Sequence, residues 1–383
     1  MARTWPVTRS KAIALAAFDA IARPVASVLP RSKSNSTGPI RNILVVEIWH
    51  LGDVVLATPL LQNLRRLFPH ARICLLAKEH ARDLLRHSDL VDEVITYDFP
   101  WTASRDKYKP ARYHRNGMSA LIGRLRAEQF DVTLDCRMDL RSNVLTRATM
   151  APRRIGYDFG GGGFLLTDAL PPSPVTQHKV EDWLGLLAPL LPQDGDQAPR
   201  DSQPRLTVTH DERNEAATAM RSYGIVEGDF VVGIHPGGSH DAKRWATDNF
   251  EMVGRSLAAN HGAKLVVFID PTGTGSDMEV GHDAAFVRTS IREMMALLTC
   301  CSVLLCNDSG PMHIAAALEV PVVAVFTTGN PDWYGPRGLA HQVVGKGASW
   351  GETAAVDVDD VIEALVHRLK SSRTSDRVAW PAG

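Results

Sequence analysis

Short, continuous apolar runs alternate along this chain with segments in which apolar residues recur at helical spacing. The run Ile43–Val46 precedes a helical pattern over Val54–Phe68, and further runs follow at Ile73–Ala77, Val94–Tyr97 and Val132–Asp135. A strand that is apolar at successive positions is buried on both faces, which requires helices on both sides of a parallel sheet. The pattern therefore predicts an α/β fold built on a doubly wound parallel sheet.

The same alternation returns later in the chain, with strand-like runs at Val231–Ile234, Leu265–Ile269, Val303–Cys306 and Val322–Phe326. A chain of 383 residues usually exceeds what one core organises. A polar, proline-rich stretch without apolar periodicity lies between the two series. We therefore predict an N-terminal arm (1–40), a first domain (41–190), a linker (191–204), a second domain (205–350), and a C-terminal helix with a mobile tail (351–383).

The predicted arm is basic and partly apolar. Its apolar segment, Lys11–Pro30, is interrupted by Asp19 and Arg23. It falls short of the roughly 20 apolar residues that span a bilayer. We expect no membrane crossing here, and two alternatives remain: a helix lying on an anionic membrane surface, or a disordered arm.

Positive charge is concentrated in the first half of the chain. Residues 1–200 contain 27 Lys and Arg against 20 Asp and Glu, whereas residues 201–383 contain 15 against 23. The imbalance indicates either a face for an anionic partner or an uneven solvated surface. A basic, aromatic loop at 101–115 carries Arg105 and Lys107, and Arg137 and Arg141 extend the same rim. Such a loop could bind nucleic acid, an anionic glycolipid or only water, and without a nucleic-acid motif it favours the glycolipid over nucleic acid.

The five cysteines are an odd number in apolar surroundings and lack metal-binding spacing, which is typical of reduced core residues in a cytoplasmic protein. Two Asp-x-Asp pairs lie in the linker (Asp194 and Asp196) and at the start of the last helix (Asp357 and Asp359). We predict no metal site.

The first polar turn, His50–Asp53, follows the first strand and precedes the first helix. Doubly wound sheets place their ligand crevice at such strand-to-helix turns. Gly52 allows close approach of a ligand, and Asp53 either faces that ligand or caps a helix beginning at Val54.

The second turn, His235–Trp245, contains Gly238, Ser239 and Lys243. The small residues expose N–H groups and the lysine supplies a point charge, a combination suited to a diphosphate. The alternative for Lys243 is an ordinary solvated side chain. We expect Trp245 to anchor the loop in the core.

The third turn, Asp308–His313, begins a helix, with Asp308 or Ser309 as its cap and Pro311 in its first turn. The N–H groups of Ser309 and Gly310 could meet a phosphate, because a helix N-terminus favours anions. His313 is either a structural hydrogen-bonding residue or a donor to the same ligand.

Taken together, three stretches resemble glycosyltransferase family nine, the ADP-heptose lipopolysaccharide heptosyltransferases. They are Ile43–Pro59, His235–Phe250 and Asn307–Ala317, the last followed by Pro331–Pro336. The resemblance covers roughly residues 41–345.

This resemblance implies a GT-B architecture, in which two Rossmann-like domains face a cleft, the first binding the acceptor and the second the nucleotide sugar. It implies an inverting, metal-independent transfer with no cofactor and a donor such as ADP-heptose. By position, Asp53 matches the proposed general base. The donor diphosphate would contact Gly238, Ser239, Lys243, Asp308, Ser309, Gly310 and His313, and the acceptor would contact Gly52, Arg105, Lys107, Arg137 and Arg141.

Two positions depart from the family pattern: Glu47 stands where an arginine is frequent, and the turn Ile269–Gly273 differs from the family's turn near the nucleoside ribose. From the resemblance as a whole, we predict a cytoplasmic transferase, soluble or peripheral on the inner membrane, that moves heptose to a lipopolysaccharide core. One alternative is a family member that uses another nucleotide sugar or a protein acceptor, and a second is a noncatalytic nucleotide-sugar-binding scaffold.

Overall fold

The computed structural model describes residues 19, 38–102, 115–159, 161–171, 173, 177–191, 201–338, 340–345 and 355–372. Arg105 and Lys107, most of the predicted arm, linker residues 192–200 and the C-terminal tail lie outside these ranges. The chain divides into two compact units. The first comprises Met1–Arg82 and Ser88–Ser202, and the second comprises Asp83–His87 and Gln203–Gly383.

The first unit contains a six-stranded sheet whose order is β3-β2-β1-β4-β5-β6. All of its neighbouring strands are parallel. The elements described in this part of the chain are β1 (Asn42–Val46), α1 (Leu51–Leu67), β2 (Arg72–Ala77), α2 (His80–Leu85), β3 (Glu93–Thr96), α3 (Arg115–Ala127), β4 (Val132–Asp135), α4 (Leu140–Ala148), β5 (Arg153–Tyr157), β6 (Asp168–Leu170) and α5 (Lys179–Gly185).

The second unit repeats this plan, with strand order β12-β11-β10-β7-β8-β9 and parallel pairing throughout. Its described elements are α6 (His210–Ser222), β7 (Val231–His235), α7 (Thr247–His261), β8 (Lys264–Phe268), β9 (Ala285–Val287), α8 (Ile291–Leu298), β10 (Val303–Asn307), α9 (Gly310–Ala317), β11 (Val322–Val325), α10 (Pro331–Tyr334), β12 (His341–Val344) and α11 (Val358–Ser372).

Continuous apolar strands form the centre of each unit because helices cover both faces of its sheet. In the first unit, Leu44 and Val46 of β1 pack with Leu76 and Phe99. In the second unit, Val232 and Ile234 of β7 pack with residues that include Phe250 on α7. Burial of one such side chain stabilises the fold by about 1.5–3 kcal/mol.

Both sheets reverse their direction of winding at a central pair of strands. In the first sheet this pair is β1 and β4, and in the second it is β7 and β10. Loops that leave such a pair at its carboxyl end run to opposite faces and open a crevice where ligands bind in doubly wound folds. The strand order therefore identifies one candidate binding edge in each unit.

The five cysteines are free and buried, as predicted for core residues. Among the described helices, none combines the length and the apolar character needed to span a membrane.

Candidate active site

Asp53 lies at the binding edge of the first unit, within the first turn of α1 rather than before it. The helix begins at Leu51, with His50 as its N-cap, so the predicted start at Val54 was three residues late. Asp53 Oδ2 accepts the backbone N–H of His50 at 3.2 Å. Asp53 therefore does help to cap the helix. As its third residue, it accepts the N–H of the N-cap residue that precedes the helix.

Arg137 follows β4 and approaches two carboxylates that follow β1. Its Nη1 is 3.4 Å from Asp53 Oδ1 and 3.7 Å from Glu47 Oε1. Its guanidinium carbon lies 4.7 Å from the centroid of the Trp49 ring, within the range of a cation–π interaction. Arg137 is thus fixed by an aromatic face and by two acids, and its charge is already partly balanced.

Arg141, which with Arg137 extends the predicted basic rim, pairs with Asp139, which is also the N-cap of α4. Its guanidinium carbon lies 6.0 Å from the Trp49 ring centroid. Arg137 and Arg141 therefore engage acids of their own unit, which lowers the net positive charge that these two residues offer to an acceptor.

Two buried acids lie beneath this edge. Burial raises the pKa of Glu47 to about 8, an effect opposed by the nearby charge of Arg137. Burial also raises the pKa of Asp135 to about 7, although Asp135 Oδ1 accepts the backbone N–H of Arg137 at 2.9 Å. Desolvation of a carboxylate disfavours its charged form, so both groups bind protons near neutral pH more strongly than exposed acids do.

The corresponding edge of the second unit joins two of the predicted turns. Lys243, in a short 3₁₀ turn after β7, donates from Nζ to Asp308 Oδ2 at 2.5 Å. The side chain of Asp308 is 7% exposed and that of Lys243 is 23% exposed, so the ammonium group is held at the surface of the crevice by a buried acid. This geometry makes Asp308 a support for Lys243, because a carboxylate does not attract phosphate.

Asn307, at the end of β10, ties the same two turns together through the backbone. Its Nδ2 donates to the Pro236 carbonyl at 2.7 Å, and its Oδ1 accepts the N–H of Trp245 at 3.0 Å. Trp245 is 5% exposed and packs edge-on against Phe250, as predicted for an anchor. Both ends of the loop that carries Lys243 are thereby fixed.

The floor of this loop is crowded around Gly237. A Cβ there would lie 2.7 Å from Asp270 Oδ2 and 2.8 Å from His235 Cε1, so only glycine fits. Burial lowers the pKa of His235 to about 4, which keeps its ring neutral. Asp270 Oδ1 accepts the N–H groups of Thr272 and Thr274. Asp270 therefore organises the turn Ile269–Gly273, which departs from the family pattern.

The third predicted turn forms the N-terminus of α9. Ser309 is its N-cap, and its hydroxyl is buried without a hydrogen-bond partner among the described residues. His313, one turn further on, is 5% exposed. Gly310 begins the helix, so its N–H lies among the groups that a helix leaves for an anion.

The structure thus brings Lys243 next to Asp308 and places Asp53 next to Arg137, each within one unit. Sequence reasoning did not assign site roles to Glu47, Trp49, Asn307 or Asp270. One signal was available for Glu47: a charged residue directly after an apolar strand must either find a partner or lose its charge.

Replacing Asn307 with alanine should reduce the free energy of unfolding of the second unit by about 1–3 kcal/mol, because the Trp245 N–H loses its buried acceptor. Urea denaturation followed by circular dichroism would measure this loss. Asn214→Ala, on the exposed face of α6, is the matched control and should change stability by less than about 0.5 kcal/mol. Equal effects of the two variants would contradict the bridging role of Asn307.

Comparison with known proteins agrees with this arrangement. The model of glycosyltransferase family 9 (heptosyltransferase) matches residues 118–360. The chain belongs to glycosyltransferase family 9. It is therefore a glycosyltransferase, as the three motifs predicted, and the GT-B fold class is also confirmed by the structural comparisons.

Among curated family members, lipopolysaccharide heptosyltransferase 2 of Salmonella typhimurium is 25% identical over 324 residues, which cover 78% of this chain and 86% of that protein. Two solved structures share the fold. A family 9 glycosyltransferase from Veillonella parvula has a TM-score of 0.73 at 23% identity, covering 88% of this chain and all of that one. The E. coli ADP-heptose lipopolysaccharide heptosyltransferase II has a TM-score of 0.69 at 21% identity, covering 87% of this chain and all of that one.

Proposed function

We propose that this family 9 glycosyltransferase moves heptose from ADP-heptose to a lipopolysaccharide core acceptor. The observation that carries the proposal is the pairing of Lys243 with Asp308, which holds an ammonium group in the turn after β7. The names of the curated relative and of the E. coli structure supply the sugar, the nucleotide and the acceptor class.

In the proposed reaction, Asp53 accepts the proton of the attacking acceptor hydroxyl. The oxygen then bonds to the anomeric carbon while the bond from that carbon to the diphosphate breaks, and attack opposite the leaving group inverts the configuration. A positioned carboxylate contributes about 10²–10⁴-fold to such a step. Asp53 suits this role because its carboxylate is already oriented by the His50 N–H and by Arg137.

The leaving diphosphate gains negative charge as the bond breaks. We propose that Lys243, the N–H groups of Gly238, Ser239, Ser309 and Gly310, and the imidazole of His313 stabilise it, with Asp308 holding Lys243. Fixed donors aimed at developing charge are the usual source of large rate effects. Because protein groups would supply this charge, we propose that no metal ion is needed; Gly52, Arg137 and Arg141 remain proposed contacts of the anionic acceptor.

A panel of nucleotide sugars tests the donor assignment. ADP-heptose at 100 times its dissociation constant should stabilise the protein by about 2.7 kcal/mol, seen as a raised melting temperature, because ligand binds only the folded state. UDP-sugars and GDP-sugars at the same concentration are the controls and should raise the melting temperature less. Turnover with ADP-heptose should be unchanged by EDTA; strong inhibition would contradict the metal-free step, and a preference for a UDP-sugar would contradict the donor.

We also propose that the enzyme is cytoplasmic, either soluble or in peripheral contact with the inner membrane.

A further inference from the structure

Glu47 is a fully buried acid at the binding edge of the first unit, and the proposed reaction gives it no role. Its side chain has 0% exposure. Oε1 accepts the N–H of Trp49 at 3.2 Å and lies 3.7 Å from Arg137 Nη1. Oε2 is buried and has no hydrogen-bond partner among the described residues. A carboxylate oxygen with a full charge in such a place would be costly.

The charges that face Glu47 come from two other elements. Asp53 on α1 and Asp135 on β4 are acids, and Arg137, just after β4, carries the positive charge. The thiol of Cys136 lies among them, and burial raises its pKa well above the usual value, so it stays neutral. If Glu47 and Asp53 were both ionised, one guanidinium would have to balance both, besides whatever charge Asp135 carries.

We infer that Glu47 is a positioning residue that works as a neutral carboxylic acid, holding Trp49 and Arg137 in place while leaving the charge of Arg137 to Asp53. This inference rests on the proposed role of Asp53. The raised pKa of Glu47, about 8, agrees with the geometry. The proton of Glu47 is therefore part of the site: its loss adds a negative charge beside Asp53 and draws Arg137 away from it.

The pH dependence of turnover tests this assignment. In the natural protein, kcat/KM should fall as the pH rises above about 8, where Glu47 ionises. Glu47→Gln keeps a neutral side chain of the same shape, so the fall in kcat/KM near pH 8 should be absent from its profile. Glu47→Ala removes the acceptor of the Trp49 N–H and should lower kcat at pH 7 by about tenfold, equivalent to about 1.4 kcal/mol, a loss that glutamine should largely rescue. Asp135 titrates in all three proteins and does not account for the difference.

Two measurements do not depend on turnover. Infrared difference spectra of the natural protein minus Glu47→Gln at pH 7 should contain the carbonyl stretch of a protonated carboxylic acid. As the pH rises from about 4.5 to about 8, the free energy of unfolding of the natural protein should also fall more steeply than that of Glu47→Gln. The sign follows because the raised pKa makes the folded state hold a proton that the unfolded chain has already lost.

The outcomes separate the two proposals. A missing acid band, or a fall in kcat/KM near pH 8 that is unchanged in Glu47→Gln, would overturn the inference about Glu47. Undiminished turnover by an Asp53 variant would instead overturn the proposed base, and the infrared band would still report the protonation of Glu47.

Discussion

Replacing Asp53 with asparagine is expected to lower kcat by about 10²–10⁴-fold while leaving the affinity for ADP-heptose nearly unchanged. Asparagine keeps an acceptor for the His50 N–H, which Asp53 accepts at 3.2 Å, but it cannot take a proton from the acceptor hydroxyl. The substitution therefore separates the helix-capping role from the proposed base role. Single-turnover kinetics give the rate of the chemical step, and calorimetric titration gives the donor affinity. Asp53→Ala should abolish transfer, with an added loss of stability because the cap is removed.

Glu212→Gln is the matched control for Asp53→Asn. Glu212 is the third residue of α6, bonds back to the Thr209 N–H as Asp53 does to that of His50, and pairs with Arg292 as Asp53 does with Arg137. The hydrogen bond from Arg292 lowers the pKa of Glu212 to about 2, so this control should lose stability at neutral pH but retain its turnover. Equal losses of kcat in both variants would mean that Asp53 acts only through the helix it caps.

Replacing Lys243 with methionine is expected to reduce kcat/KM by about 10²–10³-fold and to weaken donor binding. The substitution removes the ammonium group that the structure holds 2.5 Å from Asp308, while methionine keeps an unbranched apolar side chain in its place. Loss of one fixed donor to developing charge costs about 2.7–4 kcal/mol in the barrier. Steady-state kinetics with the donor varied, together with calorimetry, measure the two effects separately.

The double variant Lys243→Met, Asp308→Asn decides whether Lys243 serves the donor or only neutralises Asp308. If neutralisation is the whole role, removal of the buried charge should restore activity. If Lys243 binds the diphosphate, the double variant should remain as impaired as Lys243→Met. Lys370→Met, on the exposed face of α11, controls for loss of a lysine and should retain full activity. Donor affinity that is unchanged in Lys243→Met would contradict a diphosphate contact.

Most strands were predictable to within a residue or two because each is a continuous apolar run. The run at Ile73–Ala77, for example, became β2 at Arg72–Ala77. Other elements carry a weaker local pattern. β5 begins with two arginines, and α6 is polar over most of its length, so neither has the apolar repeat that marks a buried element. The positions of β5 and α6 are therefore set by tertiary contacts with residues that are distant in the sequence.

The candidate site likewise contains residues that the sequence identifies and partners that it does not reveal. Asp53 and Lys243 could be identified as functional candidates because glycine, charge and strand-to-helix position coincide within a few residues. Arg137 was assigned only to a basic rim, because nothing near it in the sequence indicates that it meets Asp53, 84 residues away. The partner of Lys243 was equally hidden, since Asp308 lies 65 residues further along the chain.

The sequence by itself determined the α/β class, the positions of most strands and the turns that carry the motifs, because apolar periodicity and turn chemistry act over a few residues. Only the tertiary structure decided that Asp308 supports Lys243, that Arg137 lies within 4 Å of both Asp53 and Glu47, and that Glu47 is fully buried. The physical reason is that parallel pairing of β1 with β4, and of β7 with β10, aligns the ends of strands far apart in the chain. The charge state of each group then depends on burial and on neighbours that this alignment supplies.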